Sequence, residues 1–318
     1  MKFKQAGLSL VELMIAIALG LILMTGVIQV FLSSRVAFDT QQALSRIQET
    51  GRLAMEFLSR DIRMAGYMGC GSRTEGAIVI DSTGLTAGLH KNFAVGLEGL
   101  TSAPANLITT EPVDGDILVV RAADAQPLFV NNINSANSLS VNVSASGVSD
   151  GCNSGICTGA VVSASDCVDS RIFIVEQLAV AGNTLTLTDV PIPEGNFAEG
   201  AELVPVNTYV YFVAPSVGDE TRSSLWQKIN SNAALELLEG VEQMRLMYGE
   251  GDDYFDADDV GDWDRIDNVR VEIVVASIAD NVLNEPQPYT FDGAVVEPDD
   301  RRLRQVFVNT IVARSRLQ

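Results

Sequence analysis

Acidic side chains crowd into one short stretch of this sequence, where their oxygen atoms could bind a divalent cation. Eight of the fifteen residues from 250 to 264 are Asp or Glu. Residues 256–267 nearly reproduce a calcium loop, although Val260 stands where an oxygen ligand is expected. A solvated acidic loop is therefore the preferred interpretation, and a Ca²⁺ site is the alternative. Its candidate ligands are Asp256, Asp258, Asp262, Asp264 and Asp267.

A nucleophilic serine is the second candidate for a reactive group in this sequence. Residues 147–151, Gly-Val-Ser-Asp-Gly, fit the pattern of a nucleophile elbow. That motif needs a histidine base later in the chain, whereas the single histidine, His90, comes earlier. The sequence also has neither a phosphate-binding loop with a lysine nor a Gly-x-Gly-x-x-Gly motif after a strand. We therefore expect a protein that is not an enzyme and needs no cofactor, with Ca²⁺ as the one alternative.

Four cysteines, Cys70, Cys152, Cys157 and Cys167, form an even set. Their spacing does not match paired Cys-x-x-Cys motifs, so a zinc site is not expected. Two disulfide bonds are the default in an exported body, and three connectivities are possible. We prefer Cys70 with Cys152, which would tie the end of a helix to a sheet, and Cys157 with Cys167.

The carboxylate of Glu12 lies in an apolar stretch, where a charge costs several kcal/mol unless it finds a partner. After it, residues 13–32 form a charge-free run of 20, enough for a helix to cross about 30 Å of hydrocarbon. Lys2 and Lys4 would hold the preceding leader on the cytoplasmic side. A secretory signal peptide is disfavoured because no small-x-small cleavage site follows Thr25. A plain anchor, in turn, does not explain the glutamate.

The residues around this glutamate resemble the class III signal of type IV pilins and pseudopilins. Residues 7–13 read Gly-Leu-Ser-Leu-Val-Glu-Leu, with Leu8 where that family usually has Phe. The resemblance implies that a prepilin peptidase cuts between Gly7 and Leu8 and methylates the new amine of Leu8. It also implies that Glu12 pairs with the N-terminal amine of a neighbouring subunit. A buried charge is tolerable when its partner charge arrives with the next subunit.

The helical pattern continues past the apolar run. Apolar or small residues recur at three- and four-residue steps from Leu44 to Ala65. A single helix over residues 8–65 would be about 87 Å long at about 1.5 Å per residue. Residues 48–58, Gln-Glu-Thr-Gly-Arg-Leu-Ala-Met-Glu-Phe-Leu, and residues 61–70, Asp-Ile-Arg-Met-Ala-Gly-Tyr-Met-Gly-Cys, resemble the PilW family of minor pilins.

After residue 70 the sequence changes to short β-rich runs divided by Gly, Asn, Asp, Ser and Pro. Residues 235–248 are ambiguous between a strand pair and a short helix, and residues 131–160 are typical of a long loop with at most one strand. Residues 240–249 and 301–317 are similar to the central block and the last strand of the PilW family. The predicted strands are residues 117–121, 128–130, 139–143, 160–163, 171–177, 184–188, 209–214, 268–276 and 305–313.

These patterns predict an α+β protein. The resemblance adds the type IV pilin fold, in which a long N-terminal α-helix packs on an antiparallel β-rich globular domain. We divide the chain into a leader (1–7), a transmembrane and filament-core half of the helix (8–32), an amphipathic half (33–66) and the globular domain (67–318).

The resemblance implies a minor pilin, anchored in the inner membrane with a periplasmic domain and later built into the pilus. It would join the minor-pilin complex that primes assembly and stay at the tip. Expected partners are other minor pilins, the major pilin, the prepilin peptidase, the inner-membrane assembly platform and a tip adhesin. The net charge of −20 argues against nucleic acid. The alternatives are a type II secretion pseudopilin and a permanently anchored periplasmic binding module.

Overall fold

A computed structural model describes residues 10–69, 78–80, 92–102, 115–124, 127–135, 138–142, 148–149, 152–153, 155–166, 170–181, 183–188 and 200–313. Its first element is a single helix, α1 (Leu10–Met64), of 55 residues. This length corresponds to about 82 Å at about 1.5 Å per residue. The predicted continuous helix is confirmed from Leu10 onward. It ends before Gly66, whose φ of 79° is typical of a helix C-cap.

The two halves of α1 have opposite surroundings. Residues 10–39 are all exposed, and most of them are apolar. By length and composition the helix could cross a membrane. Further along, Ile47, Leu58 and Ile62 are buried, and the buried stripe starts at Ala43, because Leu44 is still 39% exposed. The first half therefore needs an apolar environment from outside the body, and the second half is already packed.

Twenty strands follow α1 among the described residues. In chain order they are β1 (Ile78–Ile80), β2 (Leu97–Leu100), β3 (Ile117–Ala123), β4 (Leu128–Ser135), β5 (Ser138–Asn142), β6 (Val148–Ser149), β7 (Cys152–Asn153), β8 (Val161–Ser165), β9 (Ser170–Ile174), β10 (Gln177–Ala181), β11 (Thr184–Thr188), β12 (Glu202–Pro215), β13 (Ser223–Ile229), β14 (Leu235–Glu239), β15 (Val241–Glu250), β16 (Asp253–Phe255), β17 (Asn268–Ala276), β18 (Tyr289–Phe291), β19 (Ala294–Val296) and β20 (Arg304–Val312). Two single-turn 3-10 helices, Ala257–Asp259 and Trp263–Arg265, lie between β16 and β17.

The strands form two main sheets. The larger has 12 strands and contains the path β1-β9-β8-β12-β4-β5-β11-β10. The long β12 is shared: residues 202–205 pair with β4 and β8, and residues 206–215 pair with β3 and β13. The smaller sheet has 4 strands in the order β16-β15-β17-β20. Because the described pairs are antiparallel except β1 with β9, the predicted α+β class with an antiparallel β-rich domain is confirmed.

The sequence predicts some of these strands and not others. Residues 235–248 prove to be the strand pair β14 and β15, divided by Gly240. The prediction of a long loop with at most one strand at 131–160 is wrong, because β4 runs to Ser135 and β6 and β7 form a hairpin beyond β5. β2 and β13 are absent from the predicted set. Strands such as β5 alternate Ser with buried Leu139 and Val141, so their mean apolar content is low although one face is buried.

Buried apolar side chains form two large clusters. One is built by the second half of α1, by β3 and β12, and by the 4-stranded sheet, with Leu58 and Val271 among its members. The other lies among β4, β5, β8, β11 and the start of β12, and includes Val141, Leu187 and Leu203. α1 contributes described side chains to the first of these clusters and not to the second. The helix is therefore fixed to the part of the body that contains β12–β20.

Gly51 allows α1 to approach β20, because a Cβ at this position would overlap the ring of Phe307. We expect Gly51→Ala to lower the free energy of unfolding by about 1–3 kcal/mol, as overpacking does elsewhere. An unhindered Gly→Ala change in a helix normally stabilises by about 0.5–1 kcal/mol. Denaturant unfolding of the full chain in detergent micelles measures the difference. Gly26→Ala is the matched control, since nothing lies within 4 Å of its Cβ position; equal stability of the two variants would contradict the prediction.

Candidate assembly site

The residues with a predicted assembly role belong to the start of the chain. Glu12 lies in the first turn of α1 and is exposed, between the exposed apolar side chains of Val11 and Leu13. No salt bridge joins its carboxylate to another of the described residues. Gly7 and Leu8, the predicted cleavage and methylation positions, lie outside the described residues.

A buried carboxylate holds the second half of α1. Asp61 is 6% exposed and accepts a hydrogen bond of 2.5 Å from the hydroxyl of Tyr211 on β12. Gln227 Nε2 donates to the same hydroxyl oxygen at 2.5 Å, and Arg60 Nε lies 2.9 Å from Asp61. Burial raises the pKa of Tyr211 well above its ordinary value, and the charge of Asp61 adds to that rise. The phenol therefore stays protonated and donates, which selects the face of α1 that meets β12.

The chain leaving α1 is bonded to two strands of the larger sheet. The N–H of Gly66 donates to the carbonyl of Arg121 on β3 at 2.9 Å. Ser163 on β8 donates its hydroxyl to the carbonyl of Met68 at 2.6 Å. The second segment that resembles the PilW family thus ends in a turn that links the helix to both β3 and β8. This part of the motif positions the body relative to the helix.

The cysteines pair locally. Cys152 and Cys157 form a disulfide bond with a Cα–Cα distance of 4.4 Å, so the preferred pairing of Cys70 with Cys152 and Cys157 with Cys167 is wrong. A loop of five residues closes at a lower entropic cost than a loop of about eighty, which favours the local bond. Cys70 and Cys167 lie outside the described residues.

Glu242 joins the two later segments that resemble the PilW family. Its carboxylate lies 2.7 Å from Arg302 Nη1 and 2.6 Å from Arg304 Nε. Arg304 Nη1 is also 2.6 Å from Asp300 Oδ1, and both arginine side chains are 8% exposed. Such charge-assisted, multiply bonded arginines are strong contacts. They tie the start of β20 to the start of β15 across the intervening β17.

The ion pairs of this cluster shift the pKa values of Arg304 and Asp300. Burial alone would lower the pKa of Arg304, but its hydrogen bonds to Asp300 and Glu242 outweigh that effect and raise it. The hydrogen bond from Arg304 lowers the pKa of Asp300 to about 2. Arg304 and Asp300 therefore remain charged at neutral pH. The contact is a permanent structural clamp on β20, the strand on which α1 packs.

The predicted calcium ligands do not converge. Among the described residues, no three His, Cys, Asp or Glu side chains are placed to hold one metal ion. Four of the five carboxylates accept hydrogen bonds within the protein. An oxygen that accepts such a bond is less available to a cation. Asp264 contributes its backbone N–H. The other four accept hydrogen bonds: Asp256 from Arg245 at 2.5 Å, Asp258 from Thr101 at 3.1 Å, Asp262 from the N–H of Asp264 at 2.9 Å, and Asp267 from Asn268 at 2.6 Å.

An arginine supplies the positive charge at this acidic end of the smaller sheet. The guanidinium of Arg245 lies 3.1 Å from Asp116, 2.5 Å from Asp256 and 3.3 Å from Asp292. Burial raises the pKa of Asp116, while the N–H of Leu246 and the charge of Arg245 oppose the rise. The loop before β3, the acidic stretch and the hairpin β18–β19 are thereby attached to one side chain of β15.

We expect Glu242→Ala to lower the free energy of unfolding by about 3–5 kcal/mol, because it leaves the largely buried Arg302 without an ion pair and Arg304 with Asp300 alone. Urea unfolding of the full chain in micelles, followed by tryptophan fluorescence, measures the loss. The matched control is Glu239→Ala, which removes a carboxylate that is 37% exposed and pairs with Arg222. That control should cost less than about 1 kcal/mol. Equal losses would contradict the structural role of Glu242.

Two protein families match the chain. Residues 2–28 match the family described as the prokaryotic N-terminal methylation motif. Residues 210–315 match PilW, the Type IV Pilus-assembly protein W, and this region includes β13–β20 with the clamp around Glu242. Both are families of pilus components rather than of enzymes. No curated protein and no solved structure is significantly similar to the chain. With a methylation motif over residues 2–28, one long apolar helix and a PilW region over residues 210–315, the chain is similar to the PilW-like type IV pilins.

Proposed function

We propose that this chain is a minor pilin that joins other minor pilins in the complex priming pilus assembly and stays at the filament tip. The observation that carries the proposal is the division of α1 into an exposed apolar half and a half seated on the β body. A helix of this kind can pass from lipid into a bundle of neighbouring helices without exposing its apolar surface to water. The body meanwhile remains in the aqueous phase.

The chemistry at the N-terminus follows from the position of Glu12. Cleavage between Gly7 and Leu8 would leave a methylated, positively charged amine four residues before this carboxylate. In a filament, the amine of one subunit would neutralise Glu12 of its neighbour inside an apolar core. A charge buried there is costly until its partner arrives, so pairing would make correct docking favourable and misregistered docking unfavourable.

The location and partners of the chain belong to the same proposal. Before assembly it would lie in the inner membrane with its body in the periplasm, where the prepilin peptidase and the assembly platform act on it. After assembly it would contact other minor pilins, the major pilin and a tip adhesin. The PilW region supports pilus membership over a type II secretion pseudopilin, which would share the leader and the helix. A fixed periplasmic binding module would keep its leader.

Mass spectrometry of the N-terminal peptide tests the processing step. We expect sheared surface filaments to contain a peptide that begins at methylated Leu8, because cleavage and incorporation both precede its appearance there. Membrane fractions from the same cells serve as the reference. An intact Met1 found in membranes alone would mean a fixed anchor and would overturn the minor-pilin proposal.

Substitution of Glu12 tests the pairing step. Glu12→Ala should leave cleavage intact but reduce the amount of the chain in sheared filaments by at least about tenfold, since one lost ion pair of about 1.4 kcal/mol already has that effect. Quantitative immunoblotting of filament and membrane fractions measures the ratio. Glu49→Ala removes an exposed glutamate of the same helix and should have no effect. Normal incorporation of the Glu12 variant would refute the assigned role.

A further inference from the structure

A groove with arginines on one side runs between the end of α1 and β20. Its volume is about 840 Å³, and one of its arginines, Arg60, is about two-thirds exposed and also pairs with Asp61 at 2.9 Å. We call it the arginine groove. Its lining includes Arg52, Met55, Arg60, Arg63 and Tyr67 from the helical side and Asn309 from β20.

The charge of the arginine groove is opposite to that of the chain. Three arginines and one glutamate line it, whereas the whole chain has a net charge of −20. Arg52 pairs with Glu56 at 3.1 Å, but both side chains are about two-thirds exposed, at 66% and 67%. Arg63 is exposed and forms no ion pair within the described part of the chain. A surface with excess positive charge in so acidic a protein selects acidic partners.

Asn309, which lines the groove opposite the arginines, belongs to the last strand in the order of the smaller sheet. β20 pairs with β17 along one side, and no described strand pairs with its other side. The first half of β20 is covered by β18, where Tyr289 lies 5.9 Å from the guanidinium of Arg304. No described strand covers the second half, where residues 308–310 are exposed, with Val308 at 51%. Unpaired N–H and C=O groups at such an edge can bind an added strand.

We propose that the arginine groove binds an extended acidic segment of another pilus subunit, which pairs with residues 308–312 of β20 and places its carboxylates against Arg52, Arg60 and Arg63. Alternate side chains of that segment would reach the arginines, and apolar side chains between them would contact Met55. The identity of the donor as a pilus subunit rests on the proposed function. The chemistry of the bound segment rests on the groove alone.

Lipid headgroups are too far away to be the occupant. Arg52 follows the end of the apolar run at residue 32 by twenty helical residues, or about 30 Å at about 1.5 Å per residue. That distance is several times the Debye length of about 8 Å at physiological salt. An anionic membrane around the first half of α1 therefore exerts almost no attraction on the arginine groove, and a protein segment is the occupant that fits both walls.

Fluorescence anisotropy with the full chain in neutral detergent micelles tests the proposal. The probe is a labelled synthetic peptide, Thr-Glu-Val-Glu-Val-Glu-Thr, and the reference peptide has Lys in place of each Glu. We expect the acidic peptide to bind at least about tenfold more tightly than the lysine peptide, and more weakly as salt rises. A third peptide, with N-methylated amides at alternate positions, should lose at least about tenfold, because it cannot pair with the edge of β20.

Two double variants with the same charge change locate the binding site. Arg52→Glu with Arg63→Glu should weaken binding of the acidic peptide at least about tenfold, whereas Arg35→Glu with Arg46→Glu, on the same helix outside the groove, should leave it within about twofold. Circular dichroism checks that both proteins fold. If the first double variant does not fold, Arg52→Gln with Arg63→Gln replaces it.

Four results would overturn the assignment: no binding of the acidic peptide, equal binding of the lysine peptide, equal loss in the two double variants, or unchanged binding of the N-methylated peptide. A concentration-dependent dimer that Arg52→Glu with Arg63→Glu abolishes would replace the proposed occupant by a second copy of this chain. These measurements need no pilus. An uncleaved leader in cells would overturn the minor-pilin function and leave the peptide result standing, and failed peptide binding would leave the processing result standing.

Discussion

The seating of the second half of α1 on the β body is the contact on which the rest of the structure depends. The first half of this helix is apolar and exposed, so it has to be buried in lipid or among other helices. The body has to stay in water. Both demands act on one continuous helix, and the buried stripe from Ala43 to Ile62 together with the Asp61–Tyr211 hydrogen bond is what joins them. Any force on the membrane half is transmitted to the body through these contacts.

The chain has about twice as many acidic as basic residues, and this imbalance affects how charges are paired in the body. With 41 acidic and 21 basic residues, unpaired carboxylates would repel one another unless they are spread out or neutralised. Arg245 and Arg304 each bind two or more carboxylates and so hold together loops that are distant in sequence. The exposed arginines near the end of α1 differ from these, because Arg52 and Arg60 each pair with one carboxylate and stay about two-thirds exposed. Arg63 is exposed and has no ion pair among the described residues. Because its arginines are exposed, the arginine groove differs in charge from the rest of this acidic protein.

Sequence patterns predicted the elements that are set by local periodicity. The long helix, its buried stripe and the β-rich character of the remainder follow from side-chain repeats of 3.6 and 2 residues. The prediction of a loop at 131–160 was wrong because the strands in this region have a weak apolar repeat. In β5, Ser138 and Ser140 alternate with Leu139 and Val141, so the mean apolar content is low, and the pairing with β11 places the two apolar side chains in a buried cluster. A single strand does not contain the information about its partner.

The sequence by itself determined that this chain has an apolar helix with one carboxylate at its start, an even set of cysteines and an acidic body, because each of these depends on residue type and near neighbours. The tertiary structure decided which charges meet. Asp116 and Arg245 are 129 positions apart, and Tyr211 and Asp61 are 150 apart. It also decided that Cys152 bonds to Cys157 and that, among the described residues, no strand pairs with the second edge of β20. Contacts of this kind arise only when distant segments pack together, since nothing in the local sequence favours one distant partner over another.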